Sequence, residues 1–185
     1  MEEGKFNTEV KQSLQDKKFE REVITFVGKN ASYYIRAFRK IEEGRTSWNW
    51  AAFFFGSYWL AYRKMLRETL IIVVIVILLN FVVGFVVGIM AGISGLDQSI
   101  ADEVVGLAAI PIWLILNTFL GIYGNDLYYK HVKRKIKEIE DLDWDEELKN
   151  AELTRAGGTA LSYALLLLLI FVVLNALSIA LRGDS

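Results

Sequence analysis

Long runs without a charge alternate with densely charged stretches along this chain. Residues 69–93 (TLIIVVIVILLNFVVGFVVGIMAGI) hold 25 positions with no Asp, Glu, Lys, Arg or His. At 1.5 Å per helical residue that run reaches about 37 Å, enough to cross a hydrocarbon core of about 30 Å with tilt. Residues 104–123 supply 20 more uncharged positions and residues 159–181 another 23. The pattern predicts three transmembrane helices, TM1 (69–93), TM2 (104–123) and TM3 (159–181). Residues 94–103 then form an external loop, 124–158 a charged cytoplasmic loop and 182–185 an external tail.

Residues 50–62 (WAAFFFGSYWLAY) form a fourth apolar stretch of 13 positions. As a helix it reaches about 20 Å, short of the core. It has no charged face of its own. The segment 48–68 therefore predicts an interfacial or re-entrant aromatic helix. Trp48, Trp50, Trp59 and Tyr62 serve as headgroup-level anchors, with Arg63 and Lys64 beside them. A thin fourth span is the competing reading.

Upstream, residues 1–47 form a charged arm whose first 22 residues suit a segment that orders only on contact. Within it, residues 30–43 carry Tyr34, Ala37, Phe38 and Ile41 at i, i+3, i+4, i+7, the stripe of an amphipathic helix capped at Asn30 or Ser32. That stripe suits a helix lying on the membrane or on the spans, or a face for a soluble partner. Tyr128, Val132, Ile136 and Ile139 make a second stripe beneath the basic part of the 124–158 segment. The fold class is an all-α membrane protein: three spans, one aromatic helix and short amphipathic helices.

Charge fixes the expected orientation. Residues 1–49 hold ten Lys and Arg, 63–68 hold three, 124–158 hold seven and the tail holds one, which completes the 21. Placing the first three groups in the cytoplasm satisfies the positive-inside rule and requires three spans, with 50–62 not crossing. The N-terminus is then cytoplasmic and the C-terminus external. No cleavable leader is evident, so the first span acts as an uncleaved anchor.

The net charge of −1 excludes a generally basic nucleic-acid binder. The absence of Cys and the single His leave no thiolate nucleophile, disulfide or multi-histidine metal set. No cofactor or metal site is expected. His131, amid lysines, reads as a polar surface residue. Asp143, Asp145 and Glu146 are the remaining acid–base candidates, yet side chains two apart on a helix do not share a face. A non-enzymatic protein is the expectation.

The spans contain no ionisable side chain, which argues against ion-coupled transport or voltage sensing. Their polar content is amide and glycine. Asn80, Gly84, Gly88 and Gly92 recur every fourth residue in TM1, a seam that lets another helix approach closely. The partner is either the chain's own spans or a second protein. Asn117 in TM2 lies at a depth comparable with Asn80, which suggests an amide pair, whereas Asn175 sits nearer the outer face. Pro111 removes one helix bond in TM2 and suggests a kink. In the cytoplasm Lys130, Lys133, Arg134, Lys135 and Lys137 form a patch suited to anionic lipid headgroups or a partner protein. The adjoining acidic block disfavours nucleic acid.

The strings FVGKNASYYIRAFRKI (26–41), SWNWAAFFFGSYWLAYRKM (47–65) and GNDLYYKHVKRKI (124–136) resemble a bacterial membrane family known only as domain of unknown function twenty-six twenty-eight. The resemblance covers roughly residues 26–136, and the aromatic run ending in Tyr62, Arg63 and Lys64 is its most specific part. It implies a small inner-membrane protein with a helical core and no assigned activity. Some relatives carry an N-terminal zinc ribbon, which a chain without Cys does not share. The leading expectation is a structural, accessory or adaptor subunit of the bacterial cytoplasmic membrane. A homo-oligomeric pore or lipid-handling protein is the alternative.

Overall fold

The computed structural model describes residues 2–95 and 97–183. Every element among them is a helix: α1 (Glu2–Val27), α2 (Ala31–Glu42), α3 (Trp50–Phe55), α4 (Ser57–Tyr62), α5 (Leu66–Ser94), α6 (Gln98–Glu140), α7 (Glu146–Ala156) and α8 (Leu161–Gly183). Three helices are long and apolar enough to cross a membrane; they contain the first two runs named above and, from Leu161, most of the third. The chain divides into two units, residues 1–47 with 125–160, and residues 48–124 with 161–185.

The first unit is a charged helical bundle with an aromatic centre. Val23, Phe26 and Val27 on α1 are buried at helical spacing, as are Tyr34, Ala37 and Phe38 on α2. Tyr128, Val132, Ile136 and Ile139 on α6, and Leu153 on α7, complete the core. Tyr128 is fully enclosed, with Tyr34 edge-on at 4.8 Å between ring centres and Phe38 at 6.0 Å. Phe38 also meets Tyr129 at 5.0 Å. Aromatic pairs of this kind add about 0.5–1.5 kcal/mol beyond the area they bury.

Three expectations change here. Of the first 22 residues, expected to order only on contact, residues 2–22 fall within helix α1. Helix α1 packs through Val23, Phe26 and Val27, just beyond that stretch, and Lys18 within it bonds Glu140 at 2.6 Å. The stripe of α2 is filled by Tyr128 and Tyr129 of the same unit, so it is not an open face for a bilayer. The segment expected as a charged loop is also mostly helical. Residues 125–140 continue α6, and Asp145 caps α7 by accepting the Leu148 backbone N–H at 2.8 Å.

The second unit holds the apolar helices and the aromatic run. That run is two short helices, broken at Gly56, where φ is 52° and ψ −127°. Few residues with a Cβ adopt such a conformation. Asn49 starts α3, its Oδ1 accepting the Ala52 N–H at 2.9 Å. Helix α4 packs against α3, α5 and α8 and buries Trp59, Leu60 and Ala61, with Met65 beyond its end. Helix α6 continues through Pro111 without interruption.

Candidate functional site

Three features of the second unit bear on function. The first is a stripe on α6 made by Asn117, Gly121 and Gly124, at i, i+4 and i+7. The aromatic run docks on it. A Cβ on Gly121 would lie 2.8 Å from the Trp48 ring, and one on Gly124 would lie 2.9 Å from Ala52. The Gly121 carbonyl accepts the Asn49 N–H at 2.7 Å. The Asn117 amide oxygen sits 2.5 Å from where a Gly56 Cβ would be. Asn117 is 4% exposed, and its Nδ2 donates to the Trp113 carbonyl at 3.0 Å. This stripe was readable as small and polar residues at helical spacing; the sequence reading used only Asn117 of it.

The second feature is the TM1 seam, now on α5. A Cβ on Gly84, Gly88 or Gly92 would meet nothing within 4 Å. Asn80 donates to the Val76 carbonyl at 2.8 Å, one turn back in its own helix. The expected amide pair between Asn80 and Asn117 is not formed. Each amide bonds its own helix, as Asn175 does through the Phe171 carbonyl at 2.8 Å.

The third feature is the set of expected anchors. Trp50 is 63% exposed, Phe54 60% and Phe55 63%, and the Trp50 and Phe54 rings stack. Trp48 is partly exposed beside them, whereas Tyr62 and Lys64 are half-buried. Trp59 and Arg63 are enclosed by protein.

In the first unit, His131 is not a surface residue. It is 4% exposed, lies parallel to Tyr128 and meets Phe26, and its Nδ1 is 3.2 Å from an Arg134 nitrogen. Phe26 arrives from a helix a hundred residues earlier, a neighbour that local sequence cannot reveal.

The basic patch is largely paired. Lys130 bonds Asp126 at 2.7 Å, Lys135 bonds Glu138 at 2.7 Å, and Arg134 lies 3.8 Å from Glu138. Lys135 holds the Glu138 carboxyl below its ordinary range by that hydrogen bond. Lys133 lies over the Tyr129 ring, and Lys137 is exposed. Burial, then the Glu42 hydrogen bond, pushes the Tyr129 hydroxyl up. Asn125 ties the unit together: its Nδ2 donates to the Tyr33 hydroxyl at 3.0 Å, and to the backbone and side-chain oxygens of Ser47 at 3.1 and 3.2 Å.

A surface the sequence reading missed lies at the α6–α7 turn. Leu142, Trp144 and Leu148 are exposed there, at 37, 46 and 53%. Asp141, Asp143, Asp145, Glu146 and Glu147 are exposed around them. Among the described residues, no three His, Asp or Glu are grouped to hold a metal ion.

A family model described as protein of unknown function (DUF2628) matches residues 11–134. The chain belongs to this family. The DUF2628 match takes in most of α1, all of α2 to α5, and α6 as far as Arg134. It contains the Asn117–Gly121–Gly124 stripe, the aromatic run and the α5 seam. Helices α7 and α8 lie beyond it. No curated protein and no solved structure matches the chain.

Proposed function

We propose that this protein is a non-enzymatic accessory subunit of the bacterial cytoplasmic membrane. Its spans dock another protein's spans, and its cytoplasmic helical unit receives a soluble segment of a partner. The observation that carries this reading is the α5 seam. Three glycines and an asparagine at four-residue spacing form a groove that their own chain leaves open. A helix from outside the chain fits such a groove closely enough for van der Waals contact along its length. The count of basic residues supports a cytoplasmic N-terminus and an external C-terminus. The exposed Trp50, Phe54 and Phe55 suit the headgroup boundary.

For the cytoplasmic contact, the geometry favours a protein partner over anionic lipid. Lys130, Arg134 and Lys135 are engaged by Asp126 and Glu138, which weakens their pull on headgroups. Leu142, Trp144 and Leu148, ringed by acids, suit a basic segment with apolar side chains.

The alternative is a homo-oligomeric pore or lipid-handling assembly, favoured by the same open seam if its occupant is a second copy. Extraction into native nanodiscs, followed by mass measurement, separates the two. The accessory reading expects a complex of one copy with a different protein, lost on Gly88→Leu. A homo-oligomer lost on Gly88→Leu supports the alternative. A lone chain, or a complex indifferent to Gly88→Leu, refutes both.

A further inference from the structure

We propose that Glu22, Lys18, Glu140 and Glu146 form a proton-dependent clasp that sets how firmly α1 is held against the α6–α7 turn. Three carboxylates from three helices converge on one ammonium. Lys18 Nζ lies 2.6 Å from Glu140, 3.5 Å from Glu22 Oε1 and 4.0 Å from Glu146. One cation among three acids leaves the cluster with excess negative charge when all are ionised. Glu22 is the member least able to tolerate it, because it is 9% exposed and its Oε1 is buried without a hydrogen bond.

Two further cations lie beside the cluster and offset part of that excess. Arg21 lines the same groove from α1. Lys149 of α7 directs its ammonium to the Glu140 backbone carbonyl, at 2.9 Å. On α2, Arg39 is engaged by Glu20 of α1 at 3.0 Å. The groove opens to solvent between α1 and α7, with Asn150 on its wall, so protons reach the cluster freely.

Glu22 and Glu140 are pushed in opposite directions. Burial, and then the Glu140 charge, raises the Glu22 carboxyl above its ordinary range. The Lys18 hydrogen bond lowers Glu140 below it. A carboxyl raised in the docked state binds its proton there more tightly than when α1 is released. Docking is therefore strongest with Glu22 protonated and weakens as pH rises through its raised pKa. Glu140 has the reverse sign: its contribution is lost as pH falls through its depressed pKa. The clasp holds best between these two limits.

The chain has no cysteine, so spin labels can be placed cleanly at Leu14→Cys and Leu148→Cys, two exposed positions flanking the clasp. The full chain in nanodiscs of neutral lipid is titrated from about pH 4.5 to about pH 8.5, and the distance distribution between labels is recorded. The expected result is a narrow distribution at the acid end that broadens through one transition. Glu22→Gln, a mimic of the protonated acid, stays narrow throughout. Lys18→Met moves the transition to lower pH, because the ionised Glu22 then lacks its cation and the Glu140 bond is lost, so α1 is released sooner. A distribution independent of pH overturns the clasp. So does a transition that survives Glu22→Gln, or one that Lys18→Met leaves in place.

Discussion

Gly157 and Gly158 are adjacent glycines whose substitution by alanine is expected to fail for different reasons. At Gly157 a Cβ would lie 1.9 Å from the Phe26 carbonyl oxygen, 2.6 Å from its carbon and 2.9 Å from its Cα. All three are backbone atoms, so no side chain can swing away. Reaching ordinary contact at 3.4 Å requires a shift of about 1.5 Å between α1 and the end of α7. That shift strains the bond in which Gly158 N–H donates to the Phe26 carbonyl at 2.6 Å, and it disturbs Phe26, which is 1% exposed. Overpacking costs about 1–3 kcal/mol and the hydrogen bond about 1 kcal/mol, so Gly157→Ala should destabilise the first unit by about 3 kcal/mol. At Gly158 a Cβ meets nothing, and the only penalty is its φ of +71°, about 1–2 kcal/mol. Alanine also stiffens the unfolded chain by about 0.4–1 kcal/mol, and this effect cancels between the two sites. Native-state hydrogen exchange at the Val27 and Val132 amides, in the full chain in nanodiscs, reads both changes. A Gly157→Ala penalty no larger than that of Gly158→Ala would refute the reasoning.

Two further outcomes follow from the same geometry. Gly56→Ala combines a φ of +52° with an Asn117 oxygen 2.5 Å from the new Cβ, and should destabilise the second unit by about 2–4 kcal/mol. Adding Asn117→Ala should recover only the steric part; an SDS titration of helicity that shows full recovery would remove the backbone argument. Asn125→Leu deletes bonds to Tyr33 and Ser47 and leaves the Ser47 carbonyl without this donor, at about 2 kcal/mol. Faster exchange at the Ser47 and Tyr33 amides should accompany it, and unchanged exchange would show the bonds to be dispensable.

The spans were legible because a membrane imposes a one-dimensional rule: about 20 residues without charge. Helical stripes were equally legible, and Tyr34, Phe38, Tyr128 and Val132 are buried as their spacing predicts. What covers a stripe was not legible. The α2 stripe suited a bilayer as well as it suited Tyr128, since both present an apolar surface. His131 misled for the same reason: its sequence neighbours are cations, whereas Phe26 and Tyr128 enclose it in space. The basic patch looked free because the partners one turn away, Asp126 and Glu138, were not weighed against it. In the aromatic run, length and composition suggested one helix. The chain breaks at Gly56, where φ is 52°, and an Asn117 oxygen some sixty residues onward lies where a Cβ would be.

The two glycine stripes now separate by what lies over them. On α6 the positions of missing Cβ atoms at Gly121 and Gly124 are occupied by Trp48, Phe53 and Ala52, so glycine there is explained inside the chain. On α5 the equivalent positions at Gly84, Gly88 and Gly92 are empty. A glycine inside a helix is about 0.5–1 kcal/mol less favourable than alanine, so three weaken α5 by about 1.5–3 kcal/mol, and a Cβ at each would meet nothing of their own chain within 4 Å. Alanine would satisfy hydropathy equally well and hold the helix better. The proposed partner supplies that compensation, as a helix that approaches more closely than alanine allows. The open seam supports the proposed span–span partner independently of the first unit's surfaces. It also explains why Gly88→Leu is the informative substitution: a Cβ there meets nothing of its own chain within 4 Å, while the larger side chain blocks a close approach from outside.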